Sequence, residues 1–317
     1  MQGGTRVLRA DAAGVRQAAG LLLAGEPVAV PTETVYGLAA DATNGDAVAR
    51  IYAAKGRPRF NPLIVHVPEL AAAERLAKFD IEARGLAARH WPGPLTLVLP
   101  ARDGSPVASL VTAGLPTVAV RVPAHPVMRA VLDVVGRPLA APSANASGAI
   151  SPTRAEHVLR SLGGRVPLVL DGGAAEVGLE STIVSIVGGD LRVLRPGAIP
   201  VETLGAGAPI LLQTSGLEGG ATVQAPGQLA SHYAPGKPLR LGATEARAGE
   251  WLIGFGPVAG DATLSATGDL AEAAARLFDR LHEADASPRA VIAVAPVPEA
   301  GLGVAINDRL RRAAAPR

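Results

Sequence analysis

The segment KGRPRFNPLIVHV, which begins at Lys55, gathers cationic and polar side chains just before an apolar run. It holds Lys55, Arg57 and Arg59 close together, followed by Asn61 and His66, in a chain with only three lysines. Lysine is a compact point charge, and the planar guanidinium of arginine matches phosphate and carboxylate oxygens with two parallel hydrogen bonds. A charge at Lys55 alone would be explained by the end of a helix. Three cations in a loop stiffened by two prolines instead favour an anion site.

Small polar residues recur at other strand ends. Thr32 and Thr34 follow the apolar VAV segment, and the loop APSANASGAISPT carries Ser143, Asn145 and Ser151. Such side chains often only satisfy backbone groups of a turn. Open α/β sheets, however, bind ligands at the carboxyl ends of their strands, so these residues are also candidates for a polar pocket.

Two arginines and a serine stand in or beside strongly apolar strands. Arg121 interrupts TVAVRVP, Ser181 begins STIVSI, and Arg195 ends the strand of LRVLRPG. A buried arginine is costly unless it has an anionic partner, which at Arg121 would be a protein carboxylate or the carboxylate of a substrate. Together with the cationic loop, these residues indicate a site for a polyanion and a small polar molecule.

The periodicity of the sequence predicts the elements that hold these residues. Helices are expected at 15–25, 46–54, 69–90, 125–135 and 153–162, and strands at 28–30, 63–67, 95–100, 117–123 and in the segments VPLVLDGG, STIVSI and LRVLRPG. This alternation favours a mixed sheet covered by helices. Beyond it, strands at 251–255 and 290–295 alternate with helices at 270–284 and 305–315, which predicts a small doubly wound, Rossmann-like α/β domain. The glycines of GFGPVAG have the wrong spacing for a dinucleotide site and are expected to form a turn.

A change in composition divides the chain. The Gly- and Pro-rich stretch after residue 205 has little periodicity and is interpreted as a linker or lid. We therefore expect domains at 1–205 and 239–317, joined by a linker at 206–238.

The composition excludes several classes of protein. There is no cysteine, so disulfides, cysteine-ligated metals and a thiol nucleophile are excluded. No apolar run reaches the length of a membrane-spanning helix and no signal peptide is evident, which favours the cytoplasm. Residues 1–205 hold 20 basic and 17 acidic side chains, and aromatic residues make up 3 % of the chain. This balance argues against tight binding of nucleic acid.

In near-complete order, PTETVYGLAADA, KGRPRFNPLIVHV, WPGPLTLVL, VAVRVPAHP, APSANASG, STIVSI and LRPGAI resemble the YrdC-like family. HYAPGKPL and GLGVAINDRLRRAA resemble its long, two-domain form, the L-threonylcarbamoyladenylate synthases. The resemblance implies a nucleotidyltransferase that makes L-threonylcarbamoyl-AMP and pyrophosphate from L-threonine, bicarbonate and ATP. It also implies that a separate enzyme complex uses the product to modify tRNA beside the anticodon, with weak or no direct tRNA binding by this chain.

The resemblance assigns residues to each substrate. It implies that L-threonine is contacted by Thr34, His66, Arg121, Ser181 and, through its backbone, Ala141. It implies an ATP site made of Arg57, Asn61, Thr117, Ser143, Ser151, Arg195 and the linker residue Tyr233. Lys55, Arg57, Ser143 and Asn145 match the charged and polar quartet that acts at the phosphates. Mg²⁺ is expected to accompany ATP, with no dedicated protein metal site and no organic cofactor.

Two other functions are compatible with parts of this sequence. A carbamoyl-transfer enzyme of hydrogenase maturation shares the domain type but carries cysteine zinc motifs, which this chain lacks. An RNA-binding factor could use the concave cationic surface of the same fold, and a steep loss of affinity with salt would reveal it. The residues of the C-terminal domain indicate no catalytic role for it, and the oligomeric state is left open.

Overall fold

The structure is a computed structural model that describes residues 4–205, 211–212, 223–227 and 231–316. Most of the predicted linker, 206–238, therefore lies outside the described residues. Within the described part, no helix is both long and apolar enough to cross a membrane.

The N-terminal part of the chain alternates strands and helices. Its strands are β1 (Arg6–Arg9), β2 (Val28–Val30), β3 (Gly37–Asp41), β4 (Ile64–His66), β5 (Leu95–Pro100), β6 (Thr117–Arg121), β7 (Leu139–Ala140), β8 (Leu168–Asp171), β9 (Thr182–Val187), β10 (Asp190–Arg195) and β11 (Leu211–Leu212). Its helices are α1 (Ala12–Leu23), α2 (Gly45–Lys55), α3 (Leu70–Glu74), α4 (Ile81–His90), α5 (Ser109–Thr112), α6 (Pro126–Val135) and α7 (Ala155–Leu162), and a short 3₁₀ helix spans Val201–Thr203.

These strands form one mixed sheet in the order β1-β8-β2-β3-β7-β4-β6-β5-β9-β10-β11. The centre combines parallel and antiparallel pairs, since β4 lies parallel to β6 and antiparallel to β7. The prediction of a mixed sheet with helices is confirmed. The order places β4, β6, β5 and β9 side by side, and these strands carry or adjoin His66, Arg121 and Ser181.

Several predicted elements have different bounds. The helix expected at 69–90 is two helices, α3 and α4, because Lys78 N–H donates to Pro100 O, and Asp80 accepts from Ala83 N–H as the cap of a new helix. The helix expected from 15 starts at residue 12, where Asp11 accepts from the N–H groups of Ala13 and Gly14. The strands β1 and β3 were not predicted, and β3 follows the loop after Pro31.

The C-terminal part forms a second, smaller α/β unit. Its elements are β12 (Leu239–Leu241), β13 (Glu250–Gly254), β14 (Ala262–Thr263), α8 (Leu270–Ala286), β15 (Val291–Val294) and α9 (Leu302–Ala314). The four strands are all parallel, in the order β12-β15-β13-β14, which confirms the predicted small parallel α/β unit. Strand β12 was not predicted, and GFGPVAG forms the expected turn after β13.

The two units share a hydrophobic core. Val35, Ile150 and Leu179 from the N-terminal unit pack in one cluster with residues of α8 and α9. Gly178, which has a φ of +71°, lies so close to α8 that a Cβ there would stand 2.5 Å from backbone atoms of Ala275. Only glycine allows this approach. This close approach packs α8 beside residues 179–181.

Candidate active site

A cleft lies where the ends of β4, β6 and β9 meet the loops after β2 and β7. The residues that line it come from the N-terminal unit and the predicted linker: Thr32, Thr34, Val35, Gly37, Arg57, Ile64, His66, Arg121, Ala141, Pro142, Ser143, Glu180, Ser181, Arg195, Pro226, Gly227, His232 and Tyr233. Nine of the fourteen predicted site residues are in this set. Pro226, Gly227, His232 and Tyr233 of the predicted linker are part of this lining.

Arg121 stands at the end of β6 with a carboxylate partner from the chain itself. Its Nη2 donates to Glu33 Oε1 at 2.6 Å, its Nη1 to Thr34 Oγ1 at 3.1 Å, and its Nε to Gly93 O at 3.2 Å. Burial would raise the pKa of Glu33, but the charge and hydrogen bond of Arg121 outweigh it and hold that pKa at about 2. Glu33 therefore stays ionised and fixes Arg121, which keeps two N–H groups for a substrate.

His66 lies beside Arg121 because β4 and β6 pair His66 with Arg121 in register. Burial, and secondarily the positive charge of Arg121, lower the pKa of His66 to about 3. The imidazole is thus neutral at physiological pH. Its Nδ1 has no hydrogen-bond partner among the described residues and is fully buried, which marks it as a group that a ligand can satisfy.

Ser181 forms the opposite wall of this end of the cleft. Its hydroxyl shares a hydrogen bond of 2.7 Å with Thr96 Oγ1 on β5. Arg195 Nη2 donates to the carbonyl oxygen of Ser181 at 2.8 Å and to its hydroxyl at 3.2 Å. The hydroxyl is therefore held by two neighbouring elements and is oriented before any ligand arrives.

The cationic loop after α2 is folded inward. Lys55 is buried and its Nζ donates to the carbonyl oxygens of Ser143 and Asn145. Burial, followed by the charges of Arg57 and Arg165, lowers the pKa of Lys55 well below its usual value. Lys55 does not line the cleft itself; it holds the loop that presents Ser143 to the cleft.

Arg57 faces the cleft and is oriented by its own loop. Its Nη2 donates to Asn61 Oδ1 at 2.6 Å and to Pro62 O at 2.9 Å. Burial lowers the pKa of Arg57 to about 10, which leaves it charged at physiological pH. Asn61 Nδ2 is buried without a hydrogen-bond partner in the described part of the chain. Arg59, by contrast, is exposed and is not part of the cleft.

Several cations converge on His232. The pKa of this buried histidine is lowered well below its usual value, first by burial and then by the charges of Arg57, Lys55, Arg195 and Arg312. The charges of Arg57, Arg195 and Arg312 therefore raise the potential around His232, and Arg57, Arg195 and His232 all line the cleft. This is the electrostatic environment that a polyphosphate requires.

The other predicted site residues differ in how close they lie to the cleft. Asn145 Nδ2 donates to Ala146 O and Ala149 O, and Ser151 Oγ donates to Glu180 Oε1 at 2.5 Å. Ala141 lines the cleft, but its N–H is already bonded to Ile64 O. Thr117 stands at the other end of β6 from Arg121, roughly 13 Å along the strand, and does not line the cleft.

Four functional candidates were missed from the sequence: Glu33, Thr96, Glu180 and Arg309. Glu33 sits between Thr32 and Thr34 in PTETV and was the natural partner for a buried arginine. Glu180 sits beside Ser181 and lines the cleft. Thr96 and Arg309 carry no local signal, because one lies in an apolar strand and the other in an amphipathic helix.

Comparison with known proteins identifies the family. A family model described as "Telomere recombination", for Sua5, YciO and YrdC proteins, matches residues 20–197, and a model of the "Threonylcarbamoyl-AMP synthase, C-terminal domain" matches residues 199–315. The threonylcarbamoyl-AMP synthase of Bacillus subtilis is 40 % identical over 96 % of this chain and 93 % of its own length. The chain belongs to the threonylcarbamoyl-AMP synthase family. The resemblance inferred from the sequence is thereby confirmed.

Other relatives agree with this family. The threonylcarbamoyl-AMP synthase of Pyrococcus abyssi is 40 % identical over 94 % of this chain and 93 % of its length. A crystal structure of P. abyssi Sua5 complexed with L-threonine has a TM-score of 0.87 and 37 % identity, and the match covers 98 % of this chain and 96 % of that chain. The similarity therefore extends through both α/β units.

Proposed function

We propose that this chain is a nucleotidyltransferase that makes L-threonylcarbamoyl-AMP and pyrophosphate from L-threonine, bicarbonate and ATP. The observation that carries the proposal is the cleft in which Arg121, fixed by Glu33, stands beside the neutral His66 and opposite a cluster of cations. One end suits an amino acid and the other suits a polyphosphate. Relatives across nearly the full chain bear the name of this activity, and a similar structure holds L-threonine.

The threonine end supplies one group for each polar group of the substrate. The two remaining N–H groups of Arg121 suit the α-carboxylate. The free Nδ1 of His66 and the oriented hydroxyls of Thr34 and Ser181 suit the amine and the side-chain hydroxyl. Ala141 contributes through its backbone. Because His66 is neutral, it accepts or donates a hydrogen bond without repelling an ammonium group.

The nucleotide end supplies positive charge and hydrogen-bond donors. Arg57 and Arg195 line the cleft and suit the phosphates, and Ser143 and the free Asn61 Nδ2 offer further donors. Lys55 and Asn145 hold the Ser143 loop. We assign Ser151 and Tyr233 to the same end, through Glu180 and through the buried Tyr233 hydroxyl. Thr117 stays a predicted ATP contact that the cleft lining does not include.

The proposed chemistry has two steps. In the first, bicarbonate loses hydroxide to give carbon dioxide, and the deprotonated amine of threonine attacks its carbon. An N–C bond forms, one C=O π bond opens to a carboxylate, and the amine releases a proton that joins the hydroxide as water, which leaves N-carboxy-threonine. A carboxylate oxygen of this carbamate then attacks the α-phosphorus of ATP, the bond from that phosphorus to the β-phosphate oxygen breaks, and pyrophosphate leaves. No protein nucleophile is needed, because positioning and charge stabilisation lower the barrier. Arg57 is placed to stabilise the charge that develops on the leaving group.

Mg²⁺ is proposed to arrive with ATP. Glu180, which lines the cleft, and Glu33, which contacts Arg121, are each paired with an arginine. The donors left for a hard cation are therefore phosphate oxygens and water, which Mg²⁺ prefers. Chelation of Mg²⁺ should abolish turnover while leaving the binding of L-threonine unchanged, as titration calorimetry can measure.

The product is proposed to pass to a separate enzyme complex that transfers the threonylcarbamoyl group to tRNA, and the need for ATP favours a cytoplasmic location. Pyrophosphate release should require L-threonine and bicarbonate together, and L-serine should support it less well. Release with neither would indicate a plain ATP hydrolase. An RNA-binding factor would instead bind tRNA with a steep dependence on salt and would release no pyrophosphate.

A further inference from the structure

Helix α9 of the C-terminal unit places an arginine at the back of the cleft. Among the residues that the structure describes, Arg309 is the largest fully buried side chain. Its Nε donates to Glu180 Oε2 at 2.8 Å, and its Nη1 donates to Asp308 Oδ2 at 2.6 Å. Burial opposes its charge, but Tyr233, Glu180 and Asp308 outweigh burial and raise the pKa of Arg309 above its usual value. A charged group thus lies directly against Glu180, which lines the cleft.

Arg309 contacts two parts of the cleft wall at once. Through Glu180 it reaches Ser151, whose hydroxyl donates to the other oxygen of that carboxylate. Its guanidinium carbon also lies 5.0 Å from the centroid of the Tyr233 ring, within the range of a cation–π interaction. Tyr233 has a φ of +63°, an unfavourable conformation for a non-glycine residue, so its position needs support from outside its own segment.

Arg312, one turn further along α9, contacts the same side of the cleft. Arg312 Nη1 donates to the carbonyl oxygen of Gly227, and His232 N–H donates to the carbonyl oxygen of Arg312 at 3.2 Å. Asp308 joins the two arginines, since its carboxylate accepts from both. The nucleotide end of the cleft is therefore fastened to α9, while the contacts of Arg121 to Glu33, Thr34 and Gly93 lie entirely within the N-terminal unit.

We propose that Arg309 is a positioning residue that builds the nucleotide half of the active site from the C-terminal unit, by fixing Glu180 and the Tyr233 ring. The C-terminal unit then forms part of the catalytic site, although it supplies no group that touches the reacting atoms. This inference rests on the proposed function for its assignment of the two ends of the cleft. It predicts that loss of Arg309 weakens the binding of ATP more than the binding of L-threonine.

The test compares substrates within one variant of the full chain. In Arg309→Met the side chain keeps most of its length and loses its charge and hydrogen bonds. We expect KM for ATP, and Kd for ATP measured by calorimetry, to rise at least about tenfold, the effect of losing one hydrogen bond to a charged group. KM for L-threonine should stay within about twofold, a change too small to reflect a lost hydrogen bond. The matched control is Arg311→Met on the same helix, whose exposed ion pair with Glu299 lies away from the cleft.

Two further variants keep the test decisive if Arg309→Met folds poorly. Arg309→Met combined with Glu180→Gln removes the buried carboxylate that loss of Arg309 leaves unpaired, while Asp308 still pairs with Arg312. This double variant should recover the thermal midpoint without recovering ATP affinity. Arg309→Lys, which keeps the charge but not the planar fork, should give an intermediate Kd for ATP.

The outcomes separate the inference from the proposed function. Equal losses of affinity for ATP and L-threonine, or an unchanged Kd for ATP in a folded variant, would overturn the role of Arg309. If the unmodified chain shows no turnover dependent on threonine and bicarbonate, the proposed function fails, yet the two binding measurements still decide whether Arg309 supports a nucleotide site.

Discussion

Arg121 Nη2 and Glu33 Oε1 are 2.6 Å apart in an ion pair whose side chains are 4 % and 7 % exposed. Glu33 is also capped by the backbone N–H groups of Ala124 and His125, so its position is fixed from the far side as well. The pair makes Arg121 a rigid, charged group at the end of an apolar strand. It explains how a strand buried in the sheet can present a cation to a substrate carboxylate.

Replacing Arg121 with glutamine should damage both binding and stability. We expect KM for L-threonine to rise at least about thirtyfold, or ~2 kcal/mol, as measured by pyrophosphate release. We also expect the free energy of unfolding in denaturant to fall by about 3–5 kcal/mol, because Glu33 would remain buried and unpaired. The double variant Glu33→Gln/Arg121→Gln should regain stability but not threonine affinity. Arg129→Gln is the control, and a normal KM in Arg121→Gln would rule out this binding role.

Replacing Lys55 with methionine tests its role in holding the Ser143 loop. The carbonyl oxygens of Ser143 and Asn145 would lose their buried donor, at a cost of about 2 kcal/mol or more in unfolding free energy. KM for ATP should rise because Ser143 lines the cleft. Lys78→Met, which breaks only an exposed ion pair with Asp103, should change neither quantity. Full pyrophosphate release by Lys55→Met at low ATP would contradict the assignment.

Removal of the Tyr233 hydroxyl tests whether Tyr233 serves the site through its hydroxyl or only through the packing of its ring. This hydroxyl is buried and has no hydrogen-bond partner among the described residues. Tyr233→Phe should therefore change unfolding free energy by less than about 1 kcal/mol. Because we assign this hydroxyl to the nucleotide, KM for ATP should rise by about three- to tenfold. An unchanged KM would mean that the Tyr233 ring alone serves the site, through its packing on Arg309 and Phe278.

Two stacked histidines at the contact between the units should make stability depend on pH. The rings of His157 and His282 are 3.8 Å apart. Burial is the main cause that lowers their pKa values, to about 4 and about 3, with Arg160 adding to the effect and Asp279 opposing it at His157. The unfolded chain takes up protons near pH 6.5, where the folded chain does not. Stability should thus be complete above pH 6.5 and decrease as pH falls towards 4.

The measurement is the thermal midpoint at pH 7 and at pH 5, a range above the titration of most carboxylates. The decrease should be smaller in His282→Gln, because glutamine cannot take up a proton in the unfolded state. Arg276→Gln, which lies on the exposed face of the same helix, should keep the full decrease. An equal decrease in His282→Gln and the unmodified chain would contradict the prediction.

Local patterns were sufficient where the structure depends on neighbouring residues. The strand 28–30, the strand 95–100 and the helix that ends at Lys55 were predicted because apolar spacing and capping residues are local. The helix expected at 69–90 was wrong because the break at 75–80 depends on a backbone bond to Pro100 in another strand. Strand β3 was missed because its residues are small, and its identity comes from pairing with β2 and β7.

The sequence by itself determined which kinds of chemistry were possible. Its lack of cysteine, its cationic loop, its arginine in an apolar strand and its motifs fixed the family and most residues of the site, since these are properties of residue type and spacing. Which charged residues pair with one another was decided only by the tertiary structure. Arg121 meets Glu33 across 88 positions and Glu180 meets Arg309 across 129, because sheet order and the packing of α9 bring distant segments together. Periodicity along a chain carries no information about such distances, which are set by the packing of whole elements.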